Sequence, residues 1–134
     1  MGYNICHKEL NILHTLTVIL IWVVALEHIG IMGLELLSSD QLLAKSFDLP
    51  LNAVQQPILR SALSNQGLYN GFVALALFLA LFIPGGMVMR VMLACFLACI
   101  FIIASYGTMT VTKKIIWLQG CPALITLIFV LFFL

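Results

Sequence analysis

Charge is scarce in this chain. Its 134 residues carry six Lys/Arg and five Asp/Glu, 8% in all, against 63% hydrophobic side chains and a mean hydropathy of +1.19. Soluble domains average roughly 45–50% apolar and about 25% charged residues. A globule of this size needs a polar skin that these residues do not supply. The shortage excludes a water-soluble globule and a disordered tail. With a net charge of +1 it also excludes the basic face that a nucleic-acid partner requires. The lipid bilayer is the expected partner.

Other absences narrow the chemistry. The four cysteines, Cys6, Cys95, Cys99 and Cys121, form no Cys-x-x-Cys pair, and Cys95 and Cys99 sit one helical turn apart, a poor geometry for a disulfide. They read as small packing residues. The first apolar run leads into Glu27-His28 rather than an Ala-x-Ala cleavage signal, so it is expected to stay as a span. There is no Glu-x-x-His pair of the di-iron type. His14 and His28 would lie about 21 Å apart along one helix, and His28 and Glu35 about 10 Å, too far to chelate one ion directly. No metal ligand set is assigned, and the cofactor is unknown.

What the chain does have is long apolar runs. A bilayer core needs about 20 apolar residues per helix, and four segments are read as spans: about 11–37, 67–83, 88–110 and 115–134. Pro84-Gly85-Gly86 separates the second from the third. The fourth is expected to start near Ile115 and bend at Pro122. The loop 38–66 holds short interfacial helices, one capped by the Ser-Ser-Asp run and one starting at Pro57 to feed the second span. The expected fold is all-α: one transmembrane domain over 1–134, an up-down-up-down bundle of four helices. Lys45, Arg60, Lys113 and Lys114 on one side outnumber Lys8 and Arg90 on the other. That places both termini outside a plasma membrane. Tyr3 and Trp117 read as interface anchors, and Lys113 and Lys114 as headgroup contacts, with catalysis as the alternative for the lysines.

The polar residues collect on one face of the membrane. His14, Ile21, His28 and Glu35 recur every seven residues and form one stripe of the first helix, with Glu27 about 100° away. Asn65, Gln66, Tyr69 and Asn70 open the second span. Tyr106, Thr110 and Lys113 share a broad face at the end of the third, and Gln119 begins the fourth. The opposite half of the bundle is apolar. Charged groups inside a membrane are costly and mark function. Glu27 and His28 are therefore candidate proton-transfer residues, with Glu35 as second acid or orienting group. Asn65, Gln66, Tyr69, Asn70, Tyr106, Thr110, Lys113 and Gln119 are candidate ligand contacts. Polar glue between helices is the plainer reading of the amides and tyrosines, and Glu35 snorkelling to the interface is an alternative for that residue.

The stretches Ala25-Leu26-Glu27-His28, Gly33-Leu34-Glu35, Asn65-Gln66-Gly67-Leu68-Tyr69-Asn70-Gly71-Phe72, Tyr106-Gly107-Thr108, Thr112-Lys113-Lys114 and Gln119-Gly120-Cys121-Pro122-Ala123 resemble the domain-of-unknown-function 1304 family, over roughly Val24 to Leu127. The resemblance implies a small bacterial four-span plasma-membrane protein and no established activity. His7 and His14 fall outside it. The functions open at this point are several. They are binding or acid–base processing of a small or lipid-soluble molecule, proton-coupled transport of a small solute, a ligand-binding regulatory module, and a metal or haem site. Gly67/Gly71 and Ala94/Ala98 are small-residue pairs that serve packing within one bundle or between copies, so a homo-oligomer is compatible with them.

Overall fold

The computed structural model describes residues 2–134, with side chains from residue 9 onward. The sequence expectations for Tyr3, Cys6, His7 and Lys8 lie outside the described side chains. Every regular element among the described residues is helical: α1 (Gly2–Leu37), α2 (Asp40–Phe47), α3 (Leu51–Val54), α4 (Pro57–Ala80), α5 (Gly86–Thr110), a π-helical turn (Ile116–Gly120) and α6 (Cys121–Phe133).

Among the described residues, three helical stretches are long and apolar enough to cross a membrane. They are Glu9–Leu37, Gly86–Thr110 and Ile116–Phe133, with mean hydropathies of 2.0, 2.6 and 2.1. No more than 28% of their most apolar windows is buried within the protein, so most of that apolar surface faces outward, as lipid contact requires. Helix α4 is not among them. Its stretch up to residue 70 carries Arg60, Ser64, Asn65, Gln66 and Asn70, which confines the apolar run to 71–80.

The helix ends follow local chemistry. In α2 the Ser39 hydroxyl caps the N-terminus by accepting from the Leu42 N–H at 3.3 Å, Asp40 sits in the first turn, and Lys45 in the last. Asp48 closes that helix in the left-handed region at φ 55°, where a short polar side chain is tolerated. Pro57 opens α4, its missing N–H costing nothing at that position. The interfacial helix expected from Pro57 is not a separate element, because it runs unbroken into the expected second span. The turn before α5 requires a positive φ, and Gly85 supplies it at 94°. Pro122 does not break the last helix. The turn just before it widens to π-helical spacing, with the Cys121 N–H donating to the Ile116 carbonyl.

Helix α1 is the spine, packed on both α4 and α6, while α5 packs on α6 and more lightly on α4. The α1–α4 pairing is antiparallel. Trp22 meets Phe78 edge-on with ring centroids 5.1 Å apart, and Glu35 meets Asn70 at the other end. The glycine pair of α4 lies inside this contact. A Cβ on Gly67 would come within 3.0 Å of the Glu35 Cβ, and one on Gly71 would strike the Met32 sulfur. The main core joins Ile21, Val24, Leu77, Leu93, Leu97 and Val130 in the apolar half. A second cluster of Leu43, Ala44 and Val54 seats α2 and α3 against Leu34 and Leu63 at the polar end.

Candidate functional site

The seven-residue stripe on α1 turns inward as the spacing predicts. Ile21, His28 and Glu35 are buried, whereas His14 is exposed near the opposite end, beside Met89 and Leu134. Glu35 receives a hydrogen bond from Asn70 Nδ2 at 2.7 Å, and the same amide donates to the Gln66 carbonyl at 3.2 Å. The backbone around Glu35 is held from α4. Arg60 donates to the carbonyls of Glu35 at 2.7 Å, Leu36 at 3.4 Å and Ser38 at 3.2 Å. Its remaining contacts are the Ser64 hydroxyl at 3.1 Å and Asp40 at 3.3 Å. The last turn of α1 contains no basic residue, so Arg60 caps it from another helix.

A cavity of about 430 Å³ opens beside this pair, within the size range of small-molecule pockets. Its polar lining is Glu35, Gln66, Asn70, Tyr106, Thr110 and Gln119, drawn from α1, α4, α5 and the π-helical turn. Phe47 at the end of α2 and Leu49 just after it also line it, with Leu59, Leu63, Ile103 and Ile115 among the apolar walls. Six of the eleven residues singled out from sequence therefore meet at one space.

The other five do not reach it. His28 is buried, and its Nδ1–H donates to the Val24 carbonyl at 2.9 Å, so in the neutral ring Nε2 keeps the lone pair. Glu27 is half-buried on another face of α1, and its Oε1 is buried with no hydrogen-bond partner among the described residues. Asn65 and Tyr69 are exposed on α4, and Lys113 is exposed beyond the end of α5. Among the described residues no three His, Cys, Asp or Glu side chains converge in a metal-binding arrangement.

Sequence reasoning missed two parts of this end of the molecule. Arg60 reads in sequence as a flanking charge. Only the absence of a glycine or basic residue at the end of α1 hints that a distant donor is needed. Lys114 likewise reads as a headgroup contact, but its Nζ donates to Asp48 Oδ1 at 2.6 Å and to the Lys45 carbonyl at 3.0 Å. The Thr112 hydroxyl donates to the other Asp48 oxygen at 2.5 Å. The Lys114 ammonium, and after it the Thr112 hydroxyl, hold the Asp48 carboxyl below its ordinary range. Together these bonds pin the end of α2 to the α5–α6 turn.

A family model described as Protein of unknown function (DUF1304) matches residues 22–131, which include all eleven candidate residues. The chain belongs to the DUF1304 family. A curated relative, the uncharacterized protein YpaA of Lactococcus lactis subsp. lactis (strain IL1403), is 36% identical over 114 residues, covering 84% of this DUF1304 chain and 94% of the relative. No solved structure matches. The family assignment carries no activity with it, so the reading of this DUF1304 site rests on its geometry.

Proposed function

We propose that this chain is a small multi-pass membrane protein that holds one small, lipid-soluble or amphiphilic molecule in the cavity beside Glu35. The observation that carries the reading is convergence. Polar side chains from α1, α4, α5 and the π-helical turn, scattered from position 35 to position 119, line a single space whose remaining walls are apolar. Pockets for small molecules have this character, a mostly apolar lining with a few placed polar groups.

In this reading α4 is the fourth span. Its polar half is directed to the cavity and to Glu35 instead of lipid, which accounts for its lower hydropathy. The chain then forms a four-helix bundle in a bacterial plasma membrane. The excess of Lys45, Arg60, Lys113 and Lys114 over Lys8 and Arg90 places the cavity end toward the cytoplasm and both termini outside. Glu35 is the one proposed acid–base group that a bound molecule meets, which favours binding over proton-transfer chemistry by Glu27 and His28. Passage across the membrane is disfavoured by the core of Ile21, Leu77, Leu93 and Leu97, which fills the apolar half.

Native mass spectrometry of the full chain released from lipid nanodiscs tests the reading. A retained small molecule is expected with the native sequence. It should be lost in Ala62→Phe, which fills the cavity from an exposed position and leaves thermal unfolding unchanged. Retention in both proteins, or in neither, overturns the proposal.

A further inference from the structure

We infer that the ligand of this cavity presents a cation rich in N–H donors, a protonated amine or a guanidinium, to Glu35; the inference rests on the binding role given to the cavity above. The argument is an inventory of hydrogen-bonding capacity. Among the described residues, Glu35 is the only formally charged one in the lining. Both amide protons of Asn70 are engaged, one by Glu35 Oε2 at 2.7 Å and one by the Gln66 carbonyl at 3.2 Å. That leaves Asn70 with only its carbonyl oxygen to offer. The single proton of the Thr110 hydroxyl is donated to the Tyr106 carbonyl at 2.9 Å, so this residue also offers lone pairs alone. Gln66, Gln119 and Tyr106 can each donate or accept and do not discriminate. Around Glu35 the wall is therefore weighted towards acceptors, with the Glu35 carboxyl as its one ionisable acid.

Of the nearby cations, Arg60 and Lys114 are engaged elsewhere, and Lys113, exposed beyond the end of α5, does not line the cavity. The four terminal N–H groups of Arg60 are donated to the carbonyls of Glu35, Leu36 and Ser38 and to the Ser64 hydroxyl, and its Nε lies 3.3 Å from the Asp40 carboxylate in an ion pair. Lys114 is held by Asp48 and the Lys45 carbonyl. Neither lines this cavity, so a phosphate or carboxylate headgroup would meet Glu35 with no counter-charge. An ammonium or guanidinium instead finds charge-assisted acceptors, and its alkyl part lies against Leu63, Ile103 and Ile115.

The test uses the full chain in neutral-lipid nanodiscs, with empty nanodiscs as the partition blank. Three probes differing only in headgroup are compared by equilibrium dialysis: decylamine, decanol and decanoate. Saturable binding of decylamine about ten-fold or more tighter than decanol is expected, from a hydrogen bond to a charged group, with decanoate weakest. Glu35→Gln should bring decylamine and decanol within about two-fold of each other. Thr110→Val, at an exposed position that leaves the fold intact, should lower the amine preference. Equal binding of amine and alcohol, or a preference for decanoate, overturns the inference and leaves the cavity reading standing. No saturable binding of any probe overturns both.

Discussion

Arg60 shows how one side chain serves two helices. Four of its donors are divided among three carbonyls at the end of α1 and a hydroxyl of its own helix, and its charge pairs with Asp40, the first residue of α2. Unpartnered carbonyls at a buried helix end are costly, and hydrogen bonds to a charged donor contribute about 1.5–3 kcal/mol each without adding simply. Arg60→Ala is therefore expected to destabilise the protein by about 2–4 kcal/mol. Arg60→Lys should recover less than half of that, because an ammonium has three donors at one point where the guanidinium has a fork. Asp40→Asn removes only the half-exposed ion pair and should stay within about 1 kcal/mol. Unfolding of the three variants in detergent micelles checks the order, and an Asp40→Asn loss equal to that of Arg60→Ala would contradict the capping role. Glu35 itself was visible in sequence because a carboxylate within an apolar run is conspicuous and its seven-residue spacing from His28 set its face. Arg60 was not, since the α1 carbonyls it binds are more than 20 residues away and depend on how α4 folds back.

At the scale of elements the α1–α4 contact governs the site, because it brings Asn70 to Glu35. Gly67 and Gly71 read in sequence as a small-residue pair, with packing inside one bundle or between copies both open. In the structure both face α1. The two are not equivalent. A methyl group at Gly67 would meet the Glu35 Cβ at 3.0 Å, the Leu36 side chain at 3.2 Å and the Met32 carbonyl at 3.3 Å. At Gly71 the close atom is the sulfur of a flexible Met32 side chain. Replacing helical glycine by alanine gains about 0.5–1 kcal/mol in propensity, whereas overpacking costs about 1–3 kcal/mol. Gly67→Ala is thus expected to lose about 1 kcal/mol net and Gly71→Ala to be near neutral. Gly33→Ala, which meets nothing within 4 Å, should stabilise slightly. Thermal unfolding of the three proteins measures the series, and equal effects at Gly67 and Gly33 would show that the helices are not in this close contact. Periodicity located the glycines on one face of α4. It could not say which neighbour lay opposite, since every surrounding helix is apolar enough to fit.

For the whole molecule, the vertical division into an apolar half and a polar half was legible, because hydropathy is a sum over many residues and tolerates local error. The covering of the polar end was not. The chain from Asp40 to Val54 reads as a loop with interfacial helices, and nothing local in it predicts that Asp48 reaches Thr112 and Lys114, more than 60 residues away. Yet those bonds fix the residue between Phe47 and Leu49, both of which line the cavity that contains Glu35. Because the Asp48 carboxyl lies below its ordinary range, the stabilisation it gives this cover is fully present above the usual carboxylate range and is lost as pH falls through the lowered value. The pair is exposed, so the contribution is modest and screened by salt. Amide hydrogen exchange reads it locally. At neutral pH, Asp48→Asn should speed exchange over residues 40–54 relative to the native chain while leaving the apolar halves of α1 and α5 protected. The two proteins should converge, once intrinsic exchange rates are corrected, only when pH falls below the ordinary Asp range and through the lowered value, where the native carboxylate is protonated as well. Lys114→Ala should reproduce the Asp48→Asn pattern in part, keeping the Thr112 bond. Exchange over residues 40–54 that ignores both substitutions would mean the cover is held by its own apolar cluster of Leu43, Ala44 and Val54, with the ionic pin contributing nothing.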